Sequence, residues 1–316
     1  MSVGTCLQAQ LAKFPVSGQQ MLAKIVLDPS FRGVMTAQQV NGLASAIGES
    51  VGDLMLLLVA FAQCYASPPI SDYPVGVVAQ GQTGNVYFGA NMEWRGTALT
   101  FTVHGEQSAT TNAWLNGEQG LTSMAISAAP CGYCRQFLYE ITTASTLQVL
   151  VGKPPPTLLV DLLPDAFGPK DIDPNAPLLM SPENHQVTLD PPPSDPVVIA
   201  ALKAANASHA PYSGGPPGAA GPGCFSGIAL QTASGAVYVG RYAENAAFNP
   251  SMSPLESALT MWSLGGDTDE EITRVVLVEV PSRATQVPVT NDLLAELPNS
   301  TAQLEVHWAK APPPSP

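Results

Sequence analysis

Charge is scarce in this chain. Of its 316 residues only 12% are charged, and 12 Lys and Arg stand against 25 Asp and Glu, giving a formal net charge of -13. No Lys/Arg cluster stands out along the sequence. A surface for nucleic acid needs cations to meet phosphates, so no nucleic-acid partner is expected. Long apolar runs are also lacking. The longest, Leu54 to Ala62, is too short to cross a bilayer, so no membrane association is expected. The first residues show no basic stretch leading into an apolar one. This predicts a cytoplasmic protein and leaves an organelle address open. Cysteines are few and odd in number, five in all, two of them in a C-x-x-C pair. That suits a reducing compartment and a metal site better than a disulfide framework.

What the chain does have is apolar content. Hydrophobic residues make up 45%, enough for a sizeable core, and the length suits two ordinary domains or one large one. From Thr36 to Ile47 the residues Val40, Leu43, Ala44 and Ile47 recur at helical spacing, with Thr36 as N-cap. Asp53 to Ala66 reads as a buried helix ended by Pro68 and Pro69. The stretch from Pro74 to Asn91 reads as strand, turn and strand. A helix from His104 to about Leu115 follows, then a strand from Thr122 to Ala128. A second helix is expected from Cys131 to Ile141, then strands near Leu147–Val151 and Thr157–Leu162. Alternating helices and strands predict an α/β layered domain, a mixed β-sheet flanked by helices.

The plan then repeats. SGAVYVGRYAENAAF resembles TGNVYFGANMEWRG, PLESAL near 254–259 falls where HGEQSA falls, and VVLVEVPSRAT falls where SMAISAAPCGYC falls. In this register His104 faces Pro254, Cys131 faces Ser282, Cys134 faces Thr285 and Glu106 faces Glu256. The expected organisation is an N-terminal helical extension over residues 1–50, a catalytic domain over 51–163, a Pro-rich connecting segment over 164–195 and a degenerate second copy over 196–316.

The chemistry gathers at His104-Gly105-Glu106 and Pro130-Cys131-Gly132-Tyr133-Cys134. Two cysteines three apart at a helix start lie on one face, where free N–H groups favour thiolates. Pro130 suits the approach to that start. One His and two Cys give three metal ligands, and a catalytic zinc site leaves its fourth position for water. Glu106, two residues from the His, is placed to handle that water's protons. A lone C-x-x-C could instead be redox-active or half of a structural zinc site. With H-x-E upstream, it has the signature of zinc deaminases, in which the glutamate is the acid/base and not a ligand. One zinc per chain is expected, because the second copy has lost the ligand positions.

The stretch FGANMEW…TVHGEQSA…APCGYCRQFLYEI resembles the cytidine deaminase family, and LPDAFGPKDI and YAENAAFNPSMSP extend the likeness to its two-domain, homodimeric branch. The resemblance implies duplicated deaminase domains with an inactive second copy. It implies hydrolytic deamination of free cytidine and deoxycytidine in pyrimidine salvage, with release of ammonia. It also implies a homodimer whose active site is completed across the subunit boundary. By position, Asn91 and Glu93 would hold the ribose, while Tyr73 and Phe167 would wall the pyrimidine ring. Two departures stand out. Gly105 replaces the usual Ala and would contribute backbone contacts, and Tyr73-Pro74 stands where Phe-Asn is common, removing a backbone N–H. Rival readings are a zinc protein whose site is only structural, and a deaminase of nucleotides or nucleic acid. Among the remaining residues, His185, His209 and His307 are isolated, Cys6, Cys64 and Cys224 have no ligand spacing, and Cys64 is expected as a small core residue.

Overall fold

The computed structural model describes residues 2–152, 155–215, 221–266 and 268–312. Two compact units divide the chain. The first comprises Met1–Glu93, Thr102–Ala166 and Ser263–Gly266, and the second Trp94–Phe101, Phe167–Trp262 and Asp267–Pro316.

The first unit opens with α1 (Val3–Leu11), α2 (Val16–Val26), β1 (Val34–Met35) and α3 (Ala37–Ile47). Thr36 caps α3 as expected, its hydroxyl accepting from Gln39 N while Gln39 Oε1 accepts from Thr36 N. α4 (Val51–Ala62) starts at Ser50, whose side chain accepts from Asp53 N, and its end tightens into a 3-10 turn over Gln63–Tyr65. Leu54, Leu58 and Phe61 of α4 share one core with Leu7, Leu22 and Leu43 from the first three helices and with Val78 and Phe88 from the sheet. Each such buried side chain contributes roughly 1.5–3 kcal/mol, so residues 1–50 belong to the core of this unit.

The sheet continues with β2 (Gly76–Gly81), β3 (Val86–Ala90), β4 (Leu121–Ile126), β5 (Gln148–Val151) and β6 (Thr157–Leu158), in the order β1-β3-β2-β4-β5-β6. All neighbours are antiparallel except β4 and β5, so the sheet is mixed. Over it lies α5 (Gly105–Leu115), with α6 (Gly132–Leu138) packed beside α5. α5 crosses β3 so closely that a Cβ on Gly89 would sit 2.1 Å from Ala109 N, which is why only glycine fits there. The expected strand over 157–162 is shorter than its apolar content suggested. Leu159 N bonds to Leu147 O, and the chain then turns into α7 (Leu159–Leu162).

The second unit contains α8 (Pro169–Ile172), α9 (Pro196–Asn206), β7 (Ser226–Thr232), β8 (Val237–Arg241), all but the last turn of α10 (Pro254–Gly265), β9 (Ile272–Glu279), α11 (Val287–Ala295) and β10 (Leu304–Trp308). Its sheet runs β10-β9-β7-β8, with β9 and β10 parallel and the other pairs antiparallel. It is therefore a second mixed sheet flanked by helices. Gly240 repeats the role of Gly89, its Cβ position lying 2.4 Å from Ala258 N.

These crossings fix the register of the repeat and correct the one read from the letters. Ala90 N donates to Ser108 Oγ, and Arg241 N donates to Ser257 Oγ, each at 3.1 Å. Ser108 and Ser257 are therefore equivalent. It follows that His104 corresponds to Ser253, Gly105 to Pro254, Glu106 to Leu255 and Gln107 to Glu256. The second copy has thus lost the acid/base position as well as the ligands. On the other side of the site, Val77 pairs with Ile126 as Ile228 pairs with Leu277, so the match of Cys131 with Ser282 and Cys134 with Thr285 stands.

A second correction concerns cysteine. Cys64 is buried as expected, but it is joined to Cys6 in a disulfide, with Cα atoms 5.6 Å apart. The partners are 58 residues apart in sequence, and only the packing of α1 beside the end of α4 brings them together. The cysteine count therefore no longer argues for a reducing compartment. Among the described residues, no single helix is long and apolar enough to cross a membrane.

Candidate metal centre and active site

Two helix starts meet in the first unit. His104 is the N-cap of α5 and Cys131 the N-cap of α6, with Cys134 one turn into α6. His104 Nδ1 lies 3.6 Å from Cys131 Sγ and 3.2 Å from Cys134 Sγ, and the two sulfurs are 3.6 Å apart. A tetrahedral zinc ion with these donors has edges of about 3.8 Å between sulfurs and about 3.6 Å between sulfur and nitrogen. The triad fits zinc with small side-chain adjustments, the Cys134–His104 edge being the one that must open, and it is the only such His/Cys/Asp/Glu group among the described residues.

The charges fit as well. The Cys131 thiol is drawn down to about 5, chiefly by hydrogen bonding with the Cys134 side chain, against burial and with help from helix N–H groups and His104. Cys134 is pushed up by its bond to Cys131 and by burial. The pair shares a proton that a bound cation would displace. The Tyr133 ring packs against His104 at 5.4 Å between centroids. Arg135 holds the approach to the helix, donating to Pro130 O at 2.8 Å and Leu162 O at 2.7 Å.

Glu106 sits in the first turn of α5 and is buried. Burial lifts its carboxyl above the usual carboxylate range, against the pull of its hydrogen bonds and of His104. A buried carboxyl whose proton is held more tightly than usual is suited to a general acid/base role. It lines a cavity of about 410 Å³ together with Tyr73, Asn91, Glu93, His104, Gly105 and Cys131.

The residues around the mouth are tied to one another. Glu93 Oε2 accepts from Ile70 N at 2.9 Å and Ser71 N at 2.8 Å, and Oε1 accepts from Ser71 Oγ at 2.5 Å. Burial would raise this carboxyl, but the hydrogen bonds together hold it below the usual range. Asn91 bridges Pro74: its Nδ2 donates to Tyr73 O at 3.0 Å and its Oδ1 accepts from Val75 N at 2.8 Å. The missing Pro74 N–H therefore leaves the segment held on both sides. Tyr73 is 58% exposed at the rim. Phe167 belongs to the second unit, is 50% exposed, and is not among the residues lining this cavity.

Sequence reasoning missed Ser71, Val75 and Thr102 as lining residues. Only Ser71 had a legible signal, as a hydroxyl two residues before the expected ring wall. In the second unit a different device holds the loop equivalent to the Cys131 turn. Buried Glu279 accepts from Thr285 Oγ1 at 2.6 Å and Gln286 N at 2.7 Å. Thr285 stands where Cys134 stands, so a carboxylate holds the loop whose first-unit counterpart carries the candidate metal ligands.

A His–Cys–Cys triad at two helix starts, with a buried protonatable glutamate facing the same cavity, defines a zinc hydrolase centre of the deaminase class. Family models agree. Two, each described as "Cytidine and deoxycytidylate deaminase zinc-binding region", match residues 51–150 and 159–290. A cytidine deaminase of Yersinia pestis (strain Pestoides F) is 44% identical over 268 residues, 85% of this chain and 87% of that protein. One from Yersinia pseudotuberculosis serotype O:1b (strain IP 31758) matches to the same extent. A crystal structure of cytidine deaminase from Mycobacterium tuberculosis is 30% identical with a TM-score of 0.35, covering 38% of this chain and 99% of that one. The chain belongs to the cytidine deaminase family, in its two-domain form.

Proposed function

We propose that the protein hydrolyses free cytidine and deoxycytidine to uridine and deoxyuridine, releasing ammonia, as a step of pyrimidine salvage. The observation that carries this reading is the buried Glu106 carboxyl, which shares a cavity with the zinc-fitting triad. Zinc held by His104, Cys131 and Cys134 supplies the Lewis acidity that makes water nucleophilic near neutral pH. Glu106 takes a proton from the water and passes it to ring N3 as the oxygen bonds to C4, then carries the remaining hydroxyl proton to the amino nitrogen, so that the C4–N bond breaks and ammonia leaves. Glu93 and Asn91 hold the sugar hydroxyls, and Asn91 keeps one amide hydrogen and one lone pair beyond its two backbone bonds. Gly105 offers backbone to the ring and Tyr73 stacks on it, while Phe167, expected as a second wall, is not among the residues lining this cavity.

The working unit in this reading is a homodimer, each cavity being completed by the partner's second domain. A domain that has lost its ligands yet keeps its sheet and helices supports such a role. Loss of cytidine's ultraviolet absorbance in the presence of the zinc-loaded protein tests the activity. Retained zinc with no turnover would leave only a structural site. Light scattering at twice the chain mass of 32.9 kDa tests the dimer, and a fully active monomer overturns it.

A further inference from the structure

The second unit keeps a cavity of its own, of about 500 Å³, where the equivalent of the active site should be. Its polar floor is Glu244. Glu244 Oε2 accepts from Tyr212 N at 2.6 Å and Ser213 N at 3.0 Å, the same paired backbone cradle that Ile70 and Ser71 give Glu93. The surrounding bonds repeat too. Glu244 N donates to His209 O as Glu93 N donates to Ser67 O, and Tyr242 N donates to Ser226 O as Asn91 N donates to Val75 O. The carboxylate of the sugar end is therefore preserved in place, while every group of the chemical end is gone.

What replaces the chemical end has its own character. Arg283 stands where Gly132 stands in the first unit, lines the cavity, is exposed, and has no acceptor among the described residues. In a chain with 12 cations against 25 acids, an uncommitted guanidinium beside a cavity is a specific anchor for an anion. Tyr212 and Tyr242 supply ring surface to the lining. The volume lies within the range of pockets that enclose small ligands.

We infer that this cavity binds a pyrimidine nucleoside 5′-monophosphate without reacting with it, Glu244 accepting from the ribose hydroxyls and Arg283 holding the phosphate. With Ser282 and Thr285 in place of the cysteines, the site has no metal ligands and the bound nucleotide keeps its bonds. The ligand class rests on Glu93 being the ribose-holding carboxylate of the active site.

The test is titration calorimetry of the full zinc-loaded protein with uridine 5′-monophosphate, which has no amino group to lose. One saturable site per chain is expected. Arg283→Met should weaken binding at least about tenfold, through loss of a charge-assisted bidentate contact, and Glu244→Gln should weaken it similarly. Arg283 is exposed, so its replacement leaves the fold intact even if Glu244→Gln does not fold. Glu93→Gln should leave nucleotide binding within about twofold while raising KM for cytidine. Nucleotide binding that ignores Arg283→Met, or that follows Glu93→Gln, overturns the inference. So does inorganic phosphate competing as well as the nucleotide, or no binding at millimolar concentration. An unchanged KM for cytidine in Glu93→Gln would instead remove the ribose reading of the active site itself.

Discussion

Gln107 and Glu256 hold the same place in their two helices and make the same bond. Gln107 Oε1 accepts from His104 N at 3.1 Å, and Glu256 Oε2 accepts from Ser253 N at 2.7 Å. Each reaches back to close the first turn. One does so as a neutral amide and the other as a buried acid.

The acid has a cost that depends on pH. Burial pushes Glu256 up to about 7, against hydrogen bonds from Ser253 that pull it down. A carboxyl whose folded pKa exceeds its unfolded value binds its proton more tightly when folded. Its contribution to stability is therefore present at low pH and fades as pH rises from about 4.5 toward 7. Glu256→Gln, which copies the first unit, should remove that dependence. We expect a gain of about 1–3 kcal/mol at pH 8 and little change at pH 5, read by chemical denaturation at both values.

Glu106→Gln should keep zinc and the fold and lose turnover. The three ligands are untouched, and glutamine fills the same buried volume without a transferable proton. A loss of at least about 10³-fold in kcat is expected, with metal content by elemental analysis still at one per chain. A variant that retains most of its activity would assign the proton transfer elsewhere.

Zinc content itself should be one per chain. The triad occurs once among the described residues, and its second-unit equivalents are Ser253, Ser282 and Thr285. Cys131→Ala should lose the metal, since two protein ligands do not make a tight site. Acid should release it from the wild type, because the ligands bind only when deprotonated. Two tightly held ions per chain would overturn the reading of the second copy.

The candidate site was legible because its residues are close in sequence within two short motifs. Cys131 and Cys134 lie one turn apart and Glu106 stands near His104 at one helix start. The combined H-x-E and C-x-x-C signature pointed to the cluster that the structure brings together. The Cys6–Cys64 disulfide was not legible, since nothing local marks a pair brought together by packing. The register of the second copy misled for a related reason. The letter Glu recurs at 256, yet the helix is positioned by the Gly240 crossing and the Ser257 bond, which shift it by one residue. The role of Asn91 in spanning Pro74 was also hidden, because it depends on where β3 ends relative to the rim.

Gly105 is explained by its neighbour. A Cβ there would lie 2.8 Å from Val77 Cγ2 and 3.2 Å from Val75 Cγ1, and Val77 is fully buried in β2 with no room to yield. The alanine expected at this position from the family resemblance is thus incompatible with this particular sheet surface. Alanine gains about 0.5–1 kcal/mol over glycine within a helix, but overpacking a tight contact costs about 1–3 kcal/mol. Gly105→Ala alone should therefore lower stability. It should also raise KM for cytidine, because the shift falls between His104 and Glu106 at the cavity wall. Val77→Ala alone removes buried methyl groups and should also destabilise. Combined, the two should cost less than their sum, with a favourable coupling of about 1 kcal/mol or more in a double-mutant cycle and partial recovery of KM. Strict additivity would mean that the Val77 contact does not set the identity of residue 105.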